Sequence, residues 1–169
     1  MKAAVLHEHG GQEELRYENL PAPELCPGQV LVRVRSVSIN RSLHVSVRRA
    51  GGNYNVTLPM VLGIDPSGVV EGLGDGVTRF ALGDRVTVRL LPHGGGGYAE
   101  LAVADEERVH PIPGDLSFAE AIVVTRHFPM AFSLANAATI QPGEWCWSWV
   151  RRVRWAPRQC RSRSSTART

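Results

Sequence analysis

The sequence predicts a mainly β fold with helix toward its end: a small twisted β barrel that hands the chain, through a helix, to a further domain. Three features predict it. Short segments alternate apolar and polar side chains with a two-residue period, glycine- and proline-rich turns separate them at close spacing, and a capped, helix-like apolar stretch follows residue 117. At 169 residues the chain suits one domain, or one domain and a fragment of another, and it is long enough to bury a core.

The elements follow in order. Lys2 to Leu6 and Leu15 to Leu20 read as short strands flanking a Gly10-Gly11 turn, and Pro21, Pro23 and Pro27 punctuate the next connection. From Gln29 to Ser38, Val30, Val32 and Val34 alternate with Leu31, Arg33 and Arg35, the pattern of a half-exposed strand. Ser67 to Leu73 and Asp84 to Leu90 give two more, the latter with Val86, Val88 and Leu90 opposite Arg85, Thr87 and Arg89. Gly72 to Gly76 and Leu82-Gly83-Asp84 supply tight turns. Tyr98 to Val103 is a further strand. Ser117 to Ala138 has helical caps and periodicity: Ser117 with Glu120 three residues on makes a capping-box pattern, and Pro129 kinks or divides the helix.

Composition is globular, 43% hydrophobic and 21% charged, and no apolar stretch approaches the roughly 18 residues of a membrane span. No secretory signal precedes the first strand, and Cys26, Cys146 and Cys160 have neither disulfide-framework nor metal-like spacing, so a cytoplasmic setting is expected. A sequence pI near 9.1 invites a nucleic-acid reading. The charge, however, is unevenly placed. Residues 1 to 150 carry 12 basic against 16 acidic side chains, a net of −4, while the remaining 7 arginines lie in the last 19 positions without one acid. All four tryptophans, Trp145, Trp147, Trp149 and Trp155, crowd the start of that tail.

Four blocks carry a resemblance. Pro27-Gly28-Gln29-Val30-Leu31-Val32, Leu62-Gly63-Ile64-Asp65-Pro66-Ser67-Gly68-Val69-Val70, Gly83-Asp84-Arg85-Val86 and Gly97-Tyr98-Ala99-Glu100 stand in order and at proper spacing. Together they resemble the GroES-like catalytic domain of medium-chain dehydrogenases/reductases, over about residues 1 to 145. The resemblance implies a GroES-like twisted β barrel at 1–124, a helical connection at 125–145 and, beyond it, a Rossmann cofactor domain. In place of the latter the chain has an aberrant basic tail at 146–169.

Zinc-dependent members of this family carry a ligating Cys where this chain has Asn40 or its neighbour, and a His where it has Ile64. Isoleucine offers no donor atom and Asn is a poor ligand beside thiolate and imidazole. No cysteine lies between Asp84 and Glu120, where the structural-zinc loop would be. The expectation is therefore no zinc, and a likeness to the quinone-oxidoreductase branch, whose members move hydride from NADPH to a quinone or enone without a metal.

The resemblance names tentative site residues. Asn40 matches a residue beside nicotinamide and substrate, where its amide could donate to a developing enolate oxygen, though a turn or helix cap in Ile39-Asn40-Arg41-Ser42 serves equally. Tyr54 and Asp65 match positions near the substrate, against loop packing for Tyr54 and turn formation before Pro66 for Asp65. His127 and Met130 fall where the family chain passes the cofactor, against simple helix packing. His44, lacking a Cys partner, reads as a surface or satisfied helix residue, and the Gly94 to Gly97 run after His93, with no lysine following, as a flexible hairpin rather than a phosphate loop.

After Ile140-Gln141-Pro142-Gly143-Glu144 the family requires an apolar strand and a glycine-rich turn that cradles pyrophosphate at a helix N-terminus. The chain instead reads Trp145-Cys146-Trp147-Ser148-Trp149-Val150-Arg151. A one-base shift explains this. Because Trp has the single codon TGG, reading each codon's last base with the next two forces Gly at Trp149/Val150 and again at Trp155/Ala156, permits Gly at Arg152/Val153, and gives Val-Leu-Val-apolar before them. The expected account is a frameshift that removes the cofactor domain, leaving an inactive fragment of an NADPH-dependent quinone or enone reductase. Three alternatives stand beside it: a nucleic-acid-binding protein using the Arg and Trp tail, a non-enzymatic GroES-like module, and a zinc-dependent alcohol dehydrogenase relative that lost its metal. For the intact enzyme the expected partners are a small-molecule quinone or enone and often a second copy of itself, with neither nucleic acid nor membrane.

Overall fold

The computed structural model describes residues 1–49, 56–90, 96–126, 128–139, 145–146 and 160–161. It divides into two units, residues 1–127 and 128–169.

In the first unit two antiparallel sheets curl around one core. Strands β1 (Lys2–Leu6), β2 (Leu15–Asn19) and β4 (Met60–Val61) form one, in the order β2-β1-β4. The other has the order β7-β3-β5-β6-β8, from β3 (Gln29–Val37), β5 (Pro66–Leu73), β6 (Arg85–Val88), β7 (Leu101–Asp105) and β8 (Val109–Pro111). The sheets meet where Ala3 bridges Ala99 and the Ala4 N–H donates to the Tyr98 carbonyl at 2.8 Å. This is the mainly β, curled architecture that the alternating segments imply.

The alternation in β3 decides its two faces. Val30 and Val32 are fully buried in a core shared with Leu6, Leu62, Val70, Val86 and Val109, while Arg33 turns out to pair with Glu71 at 2.5 Å. Gly68 makes the β3–β5 pairing possible: a Cβ there would stand 2.0 Å from the Arg33 carbonyl oxygen. In β6 the simple alternation fails. Thr87, placed on an open face by the pattern, is 3% exposed because the helix after residue 117 packs across β5, β3 and β6. Its Oγ1 has no partner among the described residues.

That helix is two. α2 runs Phe118–Arg126 and α3, in the second unit, runs Phe128–Ala137, with Pro129 at the second position of α3, in the first turn, where a missing N–H costs nothing. The α2 entrance is a reciprocal capping box: Glu120 N–H donates to Ser117 Oγ at 3.2 Å, and Ser117 N–H and Oγ donate to Glu120 Oε2 at 2.9 and 2.7 Å. These bonds lower the Glu120 pKa. Beyond α3 and the turn at Ala138 and Thr139, the described part of the second unit is a two-stranded pairing, β9 (Trp145–Cys146) with β10 (Cys160–Arg161). Otherwise the basic tail lies outside the described residues.

Candidate active site

The site is built where β3 ends. Ser38 and Ile39 lead from Val37 to Asn40, whose carbonyl accepts the His44 N–H at 3.0 Å and so opens α1 (Arg41–Arg48). Asn40 is half-buried and occupies the N-cap position of that helix. The helix-cap alternative for Asn40 and the helical alternative for His44 both fit this helix, although the β-branched Val45 and Val47 in it favour strand.

Opposite Ser38 lies the Leu62-Gly63-Ile64-Asp65 block, tied into the fold by its backbone. The Leu62, Gly63 and Ile64 carbonyls accept N–H groups of Tyr98, Gly97 and Leu90 at 2.7, 2.9 and 2.7 Å. Gly63 has φ +91°, and a Cβ on it would come within 2.5 Å of the Tyr98 ring, so only glycine fits. Ile64, 4% exposed, packs into the core, and Asp65, equally buried, is held from two sides. Ser38 Oγ donates to its Oδ2 at 2.9 Å, and Arg126 Nε, at the last residue of α2, stands 3.4 Å from Oδ1. Asp65 is thus an ion-paired, hydrogen-bonded acid, which a turn former before Pro66 need not be. Buried carboxylates persist when paired in this way.

The network continues through Ser38. Tyr98 donates its phenolic proton to the Ser38 carbonyl at 2.9 Å, and the Tyr98 hydroxyl oxygen also meets His44 Nε2, with the two rings 4.8 Å apart. Burial first, and then the charge of Asp65, push the Tyr98 pKa up to about 12. Burial and the nearby Arg48 hold the His44 pKa below its ordinary 6.5. Both groups are uncharged near neutral pH. The result is a line of polar side chains, Arg126, Asp65, Ser38, Tyr98 and His44, with charge at one end only.

Of the residues singled out in the sequence, Asp65 is hydrogen-bonded to Ser38, and Asn40 stands two residues on at the start of α1. Met130 lies in the second unit on α3 and is 57% exposed. Tyr54 and His127 lie outside the described residues. Ser38, Tyr98 and Arg126 are not marked as site residues by the sequence, Tyr98 standing there only in the Gly97-Tyr98-Ala99-Glu100 block. Arg126 carries a weak signal, a lone cation after the apolar run Ala121 to Val124. Ser38 carries none. Among the described residues no group of three or more His, Cys, Asp or Glu side chains is gathered as a metal would need. No helix among them is long and apolar enough to cross a membrane.

The alcohol dehydrogenase GroES-like domain model matches residues 26–114, which takes in β3, α1, the Leu62 block and Tyr98. The chain belongs to this family, among the medium-chain dehydrogenases/reductases. A pig quinone oxidoreductase is 32% identical over 149 residues, covering 85% of this chain and 44% of its own length. A mouse synaptic vesicle membrane protein VAT-1 homolog-like is 33% identical over 134 residues, covering 79% of this chain and 31% of its own. The crystal structure of an NAD-dependent alcohol dehydrogenase superposes with a TM-score of 0.78 at 34% identity, over 85% of this chain and 49% of that one. The chain therefore spans less than half the length of these GroES-like relatives.

Proposed function

We propose that the chain carries the substrate-facing half of an NADPH-dependent quinone or enone reductase, and that its 169 residues alone do not turn over. The observation that carries the reading is the Gly63-Ile64-Asp65 block, whose middle side chain is packed in the core while its acid is engaged by Ser38 and Arg126. Ile64 has no donor atom for a metal and the Asp65 carboxylate is already engaged, which favours the zinc-free branch over an alcohol dehydrogenase. Identity alone does not separate the two branches, since the quinone oxidoreductase at 32% and the NAD-dependent alcohol dehydrogenase at 34% each cover 85% of the chain.

When bound, the nicotinamide supplies hydride. This chain's contribution is positional: Asn40, fixed at the start of α1, offers an amide to oxygen that gains charge as hydride arrives, and the neutral Tyr98 and charge-compensated Asp65 keep stray charge from it. Among the described residues the one run of strand, glycine turn and helix N-terminus, β8, Gly114 and α2, has a single glycine and a helix start already capped by Ser117 and Glu120, which does not suit a pyrophosphate, and NADPH over NADH follows from the family likeness alone. The domain reading is a barrel at 1–124, a connection at 125–145 and an aberrant tail at 146–169. The reaction is placed in the cytoplasm, without zinc.

The test is NADPH oxidation with a panel of quinones and enones, run on the 169-residue chain and on a form with the shifted reading frame restored through a complete cofactor domain. Turnover is expected from the second only. Robust turnover by the first would end the fragment reading, and none by the second would end the reductase reading.

A further inference from the structure

A groove of about 550 Å³ opens on the first unit beside the His44–Tyr98 pair. Its volume is that of a small-molecule site, about 300–1,000 Å³. Apolar side chains dominate its lining: Leu15 and Tyr17 of β2, Val34 and Val37 of β3, and Ile39. Tyr17 is 73% and Ile39 80% exposed, so the fold spends two large apolar groups here without burying them. The groove also carries no net charge. Its carboxylate, Glu100, accepts the Lys2 backbone N–H at 2.8 Å, and the Lys2 ammonium lies over the Tyr17 ring, 5.9 Å from its centre.

Its polar character is fixed by counting protons. The Tyr98 hydroxyl has one proton, and the Ser38 carbonyl, which can only accept, takes it. The His44 Nε2 in contact with the Tyr98 hydroxyl oxygen is then the donor, so the neutral imidazole carries its hydrogen on Nε2. Nδ1 is left as a bare lone pair. It has no hydrogen-bond partner among the described residues, and His44 is one of the residues that line the groove. A groove with apolar walls and an acceptor-only imidazole nitrogen favours a ligand that is flat, uncharged and able to donate.

We propose that this groove is a second binding site, for a neutral aromatic alcohol such as a phenol or hydroquinone, whose O–H donates to His44 Nδ1 while its ring lies against Tyr17 and Ile39. A quinone, with acceptors only, meets an acceptor at His44 and is disfavoured. The site therefore distinguishes the two oxidation states of one ring system. It is independent of the reductase reading, because it rests on His44, Tyr98 and the groove walls and requires no cofactor.

The experiment uses the 169-residue chain and three probes of one shape: 2-naphthol, 2-methoxynaphthalene and 1,4-naphthoquinone. Affinities come from ligand-observed NMR titration, and the imidazole ¹⁵N shifts report on Nδ1. Naphthol is expected to bind about fivefold more tightly than the other two, the factor one neutral hydrogen bond supplies, and to shift the Nδ1 resonance. His44→Phe keeps a ring but removes the acceptor, and should level the three probes. Ile39→Ser, at an exposed position that leaves the fold alone, should weaken all three while preserving their order. Equal affinities on the unsubstituted chain, absence of binding at millimolar probe, or a naphthol advantage that survives His44→Phe would each overturn the proposal.

Discussion

Helices α2 and α3 follow one another in sequence and are both rich in apolar side chains, yet they stand differently. α2 buries Ala121 and Ile122 and is fastened at both ends: Ser67 Oγ donates to the Phe118 carbonyl at 2.9 Å, and Arg126 reaches Asp65. On α3 every described side chain is exposed, among them Phe128 at 65%, Phe132 at 58% and Leu134 at 66%. An apolar helix is ordinarily a buried one. The difference teaches that apolar content alone does not decide what a helix covers. α2 is placed by polar fasteners on β5, and α3 has the composition of a helix meant for cover that these residues do not supply.

The largest expected effect comes from removing the surface on which α2 rests. Gly68→Ala would put a methyl 2.0 Å from the Arg33 carbonyl, a clash with backbone that no side-chain rotation relieves, so β3 and β5 must separate. The expected cost is on the order of 4 kcal/mol or more. Urea unfolding should show the cooperative transition lost or moved close to zero denaturant. A midpoint near that of the unsubstituted chain would mean the close approach of these strands is not needed.

A smaller effect is expected at the far fastener. Arg126→Ala leaves the buried Asp65 with Ser38 as its named polar partner. Breaking a fully buried pair costs about 3–5 kcal/mol. Because the Arg126 side chain is 23% exposed, about 2 kcal/mol is expected. The double substitution Asp65→Asn with Arg126→Ala should recover part of the loss by removing the stranded charge. If it recovers nothing, the pair's attraction is not what holds α2.

How far the sequence discloses this depends on the range of the interaction. Periods and turns are local, so β1 is found at its observed limits and β3 and β5 within a residue, as is the capping box at Ser117. β4 and β8, of two and three residues, are too short to show a period. Tyr98 reads as the start of a strand, but its N–H and ring turn to the Leu62 block and the strand begins at Leu101. The polar line from Arg126 to His44 joins residues that no local pattern relates: His44 and Tyr98 are 54 positions apart, Ser38 and Asp65 27. Asp65 stands out through family likeness, whereas Arg126 carries only a weak local signal and its pairing with Asp65, 61 positions away, is set by the fold.

The smallest expected effect is on α3, and it is the sharpest test of the contrast. Ile122→Ala on α2 opens space beneath a side chain only 5% exposed and should cost about 2–4 kcal/mol. Phe132→Ser removes a larger side chain but one already facing solvent, so the fold loses little more than its stacking on Phe128, whose ring centre lies 6.5 Å away. Such i,i+4 contacts contribute about 0.2–0.5 kcal/mol. Urea midpoints of the two variants should therefore differ severalfold in their shift from the unsubstituted chain, with the smaller side chain giving the larger shift. Equal shifts would mean that α3 is covered within these 169 residues. In a chain carrying a complete cofactor domain the order should close up, because a domain that covers α3 would make Phe132 a buried residue and its loss a cavity.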